Sequence, residues 1–81
     1  MVLILVVDDE PRYQHLLKVN LEREGHEVIS AGNGEEAVNL VASSRPQLVI
    51  LDIMMPKLDG LAACERIRQF SNVPIIILTA R

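Results

Sequence analysis

Three short acidic or hydroxyl-bearing stretches stand where apolar runs stop. "LVVDDE" ends in Asp8, Asp9 and Glu10, "LVILD" ends in Asp52, and "IIILTA" ends in Thr79 and Ala80. Each run has the length of a β-strand. If the first and third runs are neighbours in one sheet, three aspartates converge at a single rim. Clustered carboxylates repel, and either protons or a cation must relieve them. The donors are all oxygen, with neither thiol nor imidazole beside them, and such a set suits a hard ion such as Mg²⁺. An ionised Asp52 beside that ion has a further use, because a carboxylate oxygen can attack phosphorus and form an aspartyl phosphate. The ion would then neutralise charge on the transferring group, and the Thr79 hydroxyl could donate to one of its oxygens.

Simpler roles exist for each residue. Asp8, Asp9 and Glu10 precede a helical pattern and suit its positive N-terminal end. Asp59 fits a helix cap better than a ligand. Thr79 alone is an ordinary strand residue. His15 and His26 lack metal-ligand spacing and read as solvated. Cys64 reads as a small buried hydrophobe rather than a reactive thiol. The coincidence of acids at two strand ends with a hydroxyl at a third favours the chemical reading.

The elements that must position these groups follow from pattern. The apolar runs are Val2–Val7, Glu27–Ser30, Gln47–Leu51 and Pro74–Leu78, three of them nearly continuous, as in strands covered on both faces of a parallel sheet. Pro74 stands at the opening of its run, where a strand tolerates it. Between the runs lie three helical patterns. Pro11 to Glu24 opens on a first-turn proline, stops at Gly25 and aligns Leu16, Leu17 and Leu21. Asn33 to Ser43 has Asn33 as cap, Glu36 three residues on, and Ala37, Val38, Leu40 and Val41 as its apolar face. Asp59 to Gln69 repeats Leu61, Cys64 and Ile67 at helical spacing. The order β-α-β-α-β-α-β predicts parallel strands with right-handed crossovers and one α/β layer structure over residues 1–81.

Composition narrows the function classes. The 81 residues carry a net charge of −3 and 49% apolar residues, with Tyr13 and Phe70 as the only aromatic side chains. No basic footprint points to direct nucleic-acid contact, and no polybasic patch points to a membrane. The single cysteine excludes an internal disulfide and suits a reducing compartment. "MVLILVV" has no positive leader and is cut off by acids after seven residues, too short to span a bilayer. A cytoplasmic protein is expected.

The set "LVVDDE" (5–10), "AGNGEEAV" (31–38), "LDIMMPKLDG" (51–60) and "VPIIILTA" (73–80) resembles the receiver domain of bacterial two-component response regulators, in order and spacing, from end to end of the chain. The resemblance implies a flavodoxin-like parallel sheet of order 2-1-3-4 with helices on both faces. It implies Asp52 as phosphoacceptor, Asp9 as direct Mg²⁺ ligand with Asp8 acting through water, and the Met54 backbone carbonyl as a third protein ligand. Thr79, followed by Ala80, matches the switch hydroxyl, and Pro56 and Gly60 match positions that shape the loop after Asp52. The phosphodonor in such a family is a phosphohistidine on a sensor histidine kinase, and the site also catalyses its own dephosphorylation without being an enzyme towards other substrates.

The family's last α-β-α segment, its fifth-strand lysine and any DNA-binding effector region have no counterpart in the 81 residues. The expectation is therefore a receiver truncated after its fourth strand, with impaired phosphoryl chemistry. The uncovered run 74–78 then suggests an alternative, a self-associating α/β unit held together through that edge. A haloacid-dehalogenase-like phosphatase also uses an aspartate and Mg²⁺, but wants D-x-D after the first strand, where this chain has "VDDEP".

Overall fold

The computed structural model describes residues 2–52 and 60–78. Its elements alternate as the pattern predicts: β1 (Leu3–Val7), α1 (Pro11–Arg23), β2 (Glu27–Ala31), α2 (Gly34–Ser44), β3 (Leu48–Asp52), α3 (Gly60–Arg68) and β4 (Ile75–Leu78). The four strands form one parallel sheet in the order β2-β1-β3-β4.

Strand parity divides the core in two. Successive side chains point to opposite faces, so Leu5, Val7, Val49 and Leu51 pack with Ala37, Val38 and Val41 of α2 and with Ala63 and Ile67 of α3. Ile4, Val6 and Val28 pack on the other face with Leu17 and Leu21 of α1. Leu5 and Val6 of β1 are completely buried although they point in opposite directions. That double burial is why "LILVV" is apolar without a break.

Local chemistry sets the helix limits. Glu10 caps α1, its carboxylate accepting from the Arg12 amide at 3.4 Å, and Pro11 follows at the first helical position. At the other end the Gly25 amide bonds Glu22 and the His26 amide bonds Leu21. This is a Schellman closure, with Gly25 in the left-handed region at φ 90°. Asn33 caps α2 by accepting from the Glu36 amide at 2.8 Å, while the Glu36 carboxylate reaches back to the Gly32 amide at 2.9 Å. The expected reciprocal box thus forms, its returning bond shifted one residue upstream.

Some expectations need correction. Leu16 and Leu61 are each 56% exposed, because both helices bury a narrower stripe than their spacing suggested. The inward stripe of α1 runs through the half-buried Leu17 and Leu21, and that of α3 through the buried Ala63 and Ile67. His26 is not simply solvated: it is half-buried and its Nδ1 accepts from the Val2 amide at 3.4 Å. Cys64 is half-buried rather than buried.

β4 lies at the edge of the sheet, with Ile76, Ile77 and Leu78 exposed. Pro74 precedes it and serves through its carbonyl, which accepts from the Val49 amide at 2.9 Å. Among the described residues no helix is long and apolar enough to cross a membrane.

Gly25 offers a clean test of the helix closure. An added Cβ would meet no atom within 4 Å, so Gly25→Ala carries only the conformational cost of a positive φ. That cost is about 1 kcal/mol, which lowers the thermal midpoint of a domain this small by roughly 4–8 °C. A thermal melt followed by circular dichroism reads it, and an unchanged midpoint would remove the left-handed closure.

Candidate metal centre

Parallel register brings the acids together. β1 and β3 are adjacent, with Val7 opposite Leu51. The next residue on each strand is an aspartate, so Asp8 and Asp52 leave the sheet side by side. Asp9 follows one residue out from Asp8. One carboxylate oxygen from each of Asp8, Asp9 and Asp52 lies within 4.8 Å of the other two. Asp8 and Asp52 are only 3% and 2% exposed, whereas Asp9 is open to solvent.

The acidic loop is tied down on one side. The Asp8 amide donates to the Ala31 carbonyl at 3.1 Å, extending the β1–β2 pairing by one residue. Asp8 Oδ1 accepts from the Glu10 amide at 2.9 Å, a local turn that bends the chain into α1. Gln14 Nε2 donates to two backbone carbonyls, that of Asp8 and, at 3.0 Å, that of Ala31.

These contacts separate roles that the sequence left open. Glu10 is the cap of α1 and also lies 3.6 Å from the exposed Arg12 Nε, so it serves the helix and not the cluster. Asp8 both turns the chain and joins the cluster. At about 4 Å and an effective dielectric near 20, two like unit charges repel by roughly 4 kcal/mol. Three carboxylates this close therefore favour a divalent cation, and oxygen donors alone suit Mg²⁺ over a thiophilic metal. The donor set fits the ion.

Gly60 is buried at the first residue of α3. Met54, Pro56, Asp59, Thr79 and Ala80 lie outside the described residues. Cys64 sits away from this rim, on α3. Burial pushes its thiol above the usual range, against a smaller opposing pull from Arg68. A raised pKa works against a reactive thiolate, in keeping with a packing role.

Gln14 and Ala31 were not singled out from sequence. Ala31 contributes only its carbonyl and leaves no trace in residue type. Gln14 does leave one: positions 14, 17 and 21 share the inward stripe of α1, and a glutamine stands there one turn ahead of two leucines.

Comparison with known proteins agrees with this geometry. The response regulator receiver domain family matches residues 4–81. The "Probable transcriptional regulator ycf27" of Porphyra purpurea is 53% identical over 77 residues, covering 95% of this chain and 32% of that protein. The "Alkaline phosphatase synthesis transcriptional regulatory protein PhoP" of Bacillus subtilis is 49% identical over 79 residues, covering 96% of this chain and 33% of its own. The chain thus spans about a third of the length of these curated relatives. Among solved structures, the response regulator protein TrrA of Thermotoga maritima in complex with Mg(2+)-BeF superposes with a TM-score of 0.92 at 49% identity, over 100% of this chain and 71% of that one. TrrA in complex with the histidine kinase ThkA gives 0.91 at 49% identity, over 99% and 70%. With the motifs, the 2-1-3-4 parallel sheet and a family match over nearly its whole length, the chain belongs to the response regulator receiver domain family.

Proposed function

We propose that this receiver accepts a phosphoryl group on Asp52 from a phosphohistidine of a sensor histidine kinase. The observation that carries the reading is the meeting of Asp8, Asp9 and Asp52 within 4.8 Å at the rim where β1 and β3 end side by side. Asp8, Asp9 and Asp52 would hold Mg²⁺, with the Met54 carbonyl as a further ligand by family pattern. When bound, the ion offsets negative charge on the transferring phosphoryl oxygens.

The chain's own residues do the rest. An Asp52 carboxylate oxygen attacks phosphorus, the new P–O bond forms as the donor's P–N bond breaks, and the P–N electron pair stays on the ring nitrogen, so that a donor ring protonated on its other nitrogen leaves as neutral imidazole. Burial of Asp52 keeps its nucleophilic oxygen fixed at the strand end. The Thr79 hydroxyl is assigned to a phosphoryl oxygen and Ala80 to the adjoining contact, both from the motif. Pro56 and Gly60 are assigned, again from the motif, to the loop positions between Asp52 and α3. Water returns the aspartyl phosphate to carboxylate and inorganic phosphate at the same site. The Mg(2+)-BeF complex and the kinase complex of TrrA support the cofactor and the partner. A cytoplasmic setting suits a partner of that kind.

The 81-residue chain, given a small-molecule phosphodonor and Mg²⁺, should gain the mass of one phosphoryl group. Asp52→Asn should abolish the gain, and a wild-type chain whose mass never changes would end the acceptor assignment for it. Metal binding has a separate readout: Mg²⁺ at ten times its dissociation constant should raise the unfolding free energy by about 1.4 kcal/mol. Without metal, Asp52→Asn should itself stabilise the fold, by on the order of 1 kcal/mol, because one of three crowded charges is gone. Urea titration with and without Mg²⁺ checks both signs, and loss of stability in metal-free Asp52→Asn would contradict the repulsion.

Self-association through strand 74–78 belongs to the same proposal as an accompanying property, and is not favoured as the function. What supports it is the exposure of Ile76, Ile77 and Leu78 on an edge strand. Sedimentation velocity over a concentration series should show mass growing with concentration, and Ile76→Lys should suppress it. A monomer at every concentration would remove the property and leave the receiver assignment untouched.

A further inference from the structure

We propose that Gln14 is a positioning residue for the metal centre, its amide fixing the Asp8–Asp9 peptide against β2 and so setting the affinity of the acidic cluster for Mg²⁺. The inference rests on the reading of Asp8, Asp9 and Asp52 as a divalent-cation site.

The geometry is specific. A side-chain amide nitrogen carries two hydrogens, and Gln14 Nε2 meets two carbonyls, those of Asp8 and Ala31. The Ala31 oxygen has two lone pairs and also receives the Asp8 amide. Asp8 is therefore held at its amide by Ala31, at its carboxylate by the Glu10 amide, and at its carbonyl by Gln14. The carbonyl is the decisive handle. It belongs to the planar peptide that joins Asp8 to Asp9. Holding its oxygen restricts rotation of the whole plane, and with it the direction in which Asp9 leaves the backbone. Asp9 is the exposed member of the cluster, so its direction depends strongly on how that peptide is held.

The position of Gln14 argues the same way. It lies half-buried on the stripe that Leu17 and Leu21 continue. An amide on an apolar stripe costs free energy unless its hydrogen bonds are made. A leucine would extend the α1 packing, yet it would leave the Asp8 and Ala31 carbonyls without this donor. Hydrogen bonds one step removed from a metal's own ligands alter affinity by about 10–100-fold.

Isothermal titration of the 81-residue chain with MgCl₂ tests the assignment. Gln14→Met keeps the length and removes both donors; its Mg²⁺ affinity should fall about tenfold while its far-ultraviolet circular dichroism is retained. Gln14→Glu supplies the second arm. If only charge mattered, an added carboxylate near the cluster would tighten Mg²⁺ binding; loss of the tie predicts weaker binding instead. Amide hydrogen exchange without metal gives a readout independent of the ion, and exchange at Asp9 and Glu10 should accelerate in Gln14→Met. A lower melting temperature in Gln14→Met with an unchanged Mg²⁺ dissociation constant would reduce Gln14 to a packing role and overturn the inference alone. A wild-type chain that takes up no Mg²⁺ would overturn it together with the cation site on which it rests.

Discussion

Mutual repulsion among three carboxylates is the constraint on which the rest of this structure turns. Asp8 and Asp52 are almost wholly withdrawn from water, and Asp9 stands beside them with an oxygen within 4.8 Å of each. Left to itself, such a cluster would push the ends of β1 and β3 apart. What opposes it is the central sheet: β1 is buried on both faces and hydrogen-bonded to a neighbour on either side. Burying one aliphatic side chain of this size contributes roughly 1.5–3 kcal/mol. Leu5, Val6, Val49 and Leu51, all fully buried, together offset the repulsion of a single rim. The apolar runs and the acids that end them are therefore two halves of one device.

The far ends of the same strands are closed by different means. There the Leu3 amide donates to the Gln47 side chain at 3.0 Å, the Gln47 amide donates to the Leu3 carbonyl at 2.8 Å, and the Val2 amide reaches His26. These neutral contacts fix register at the end where no chemistry is proposed. Register matters at the other end, because a slip of one residue would turn Asp52 to the opposite face of the sheet. The rim geometry is thus specified partly by polar side chains a full strand length away.

Much of the architecture was legible in the letters. Continuous apolar runs mark strands covered twice, and Pro11, Gly25 and Asn33 mark helix limits, since each signal has one physical cause. Which side of each helix faces the sheet was less legible. Leu16 and Leu61 repeat at helical spacing and still face outward, because spacing fixes a direction around the helix axis but not how wide a strip the neighbouring layer covers. The acids were readable as a cluster because strand ends were readable. Glu10 was ambiguous, since cap and ligand demand the same residue type. Ala31 left nothing to read, because it works through a backbone carbonyl that every residue possesses.

The two sides of the site are built from different elements. On the β2 side Asp8 is gripped by Ala31, Glu10 and Gln14 in turn. On the other side Asp52 pairs in register with Leu78 of β4, a strand whose last three residues are exposed. By strand parity Ile76 and Leu78 point to the face on which α1 lies, and α1 packs mainly over β1 and β2. Among the described residues, one side is tied by hydrogen bonds within the first half of the chain, while the other stands beside β4, whose Ile75 packs on the core. The charges that would hold a cation are thus tied most firmly where β1 meets β2 and the start of α1.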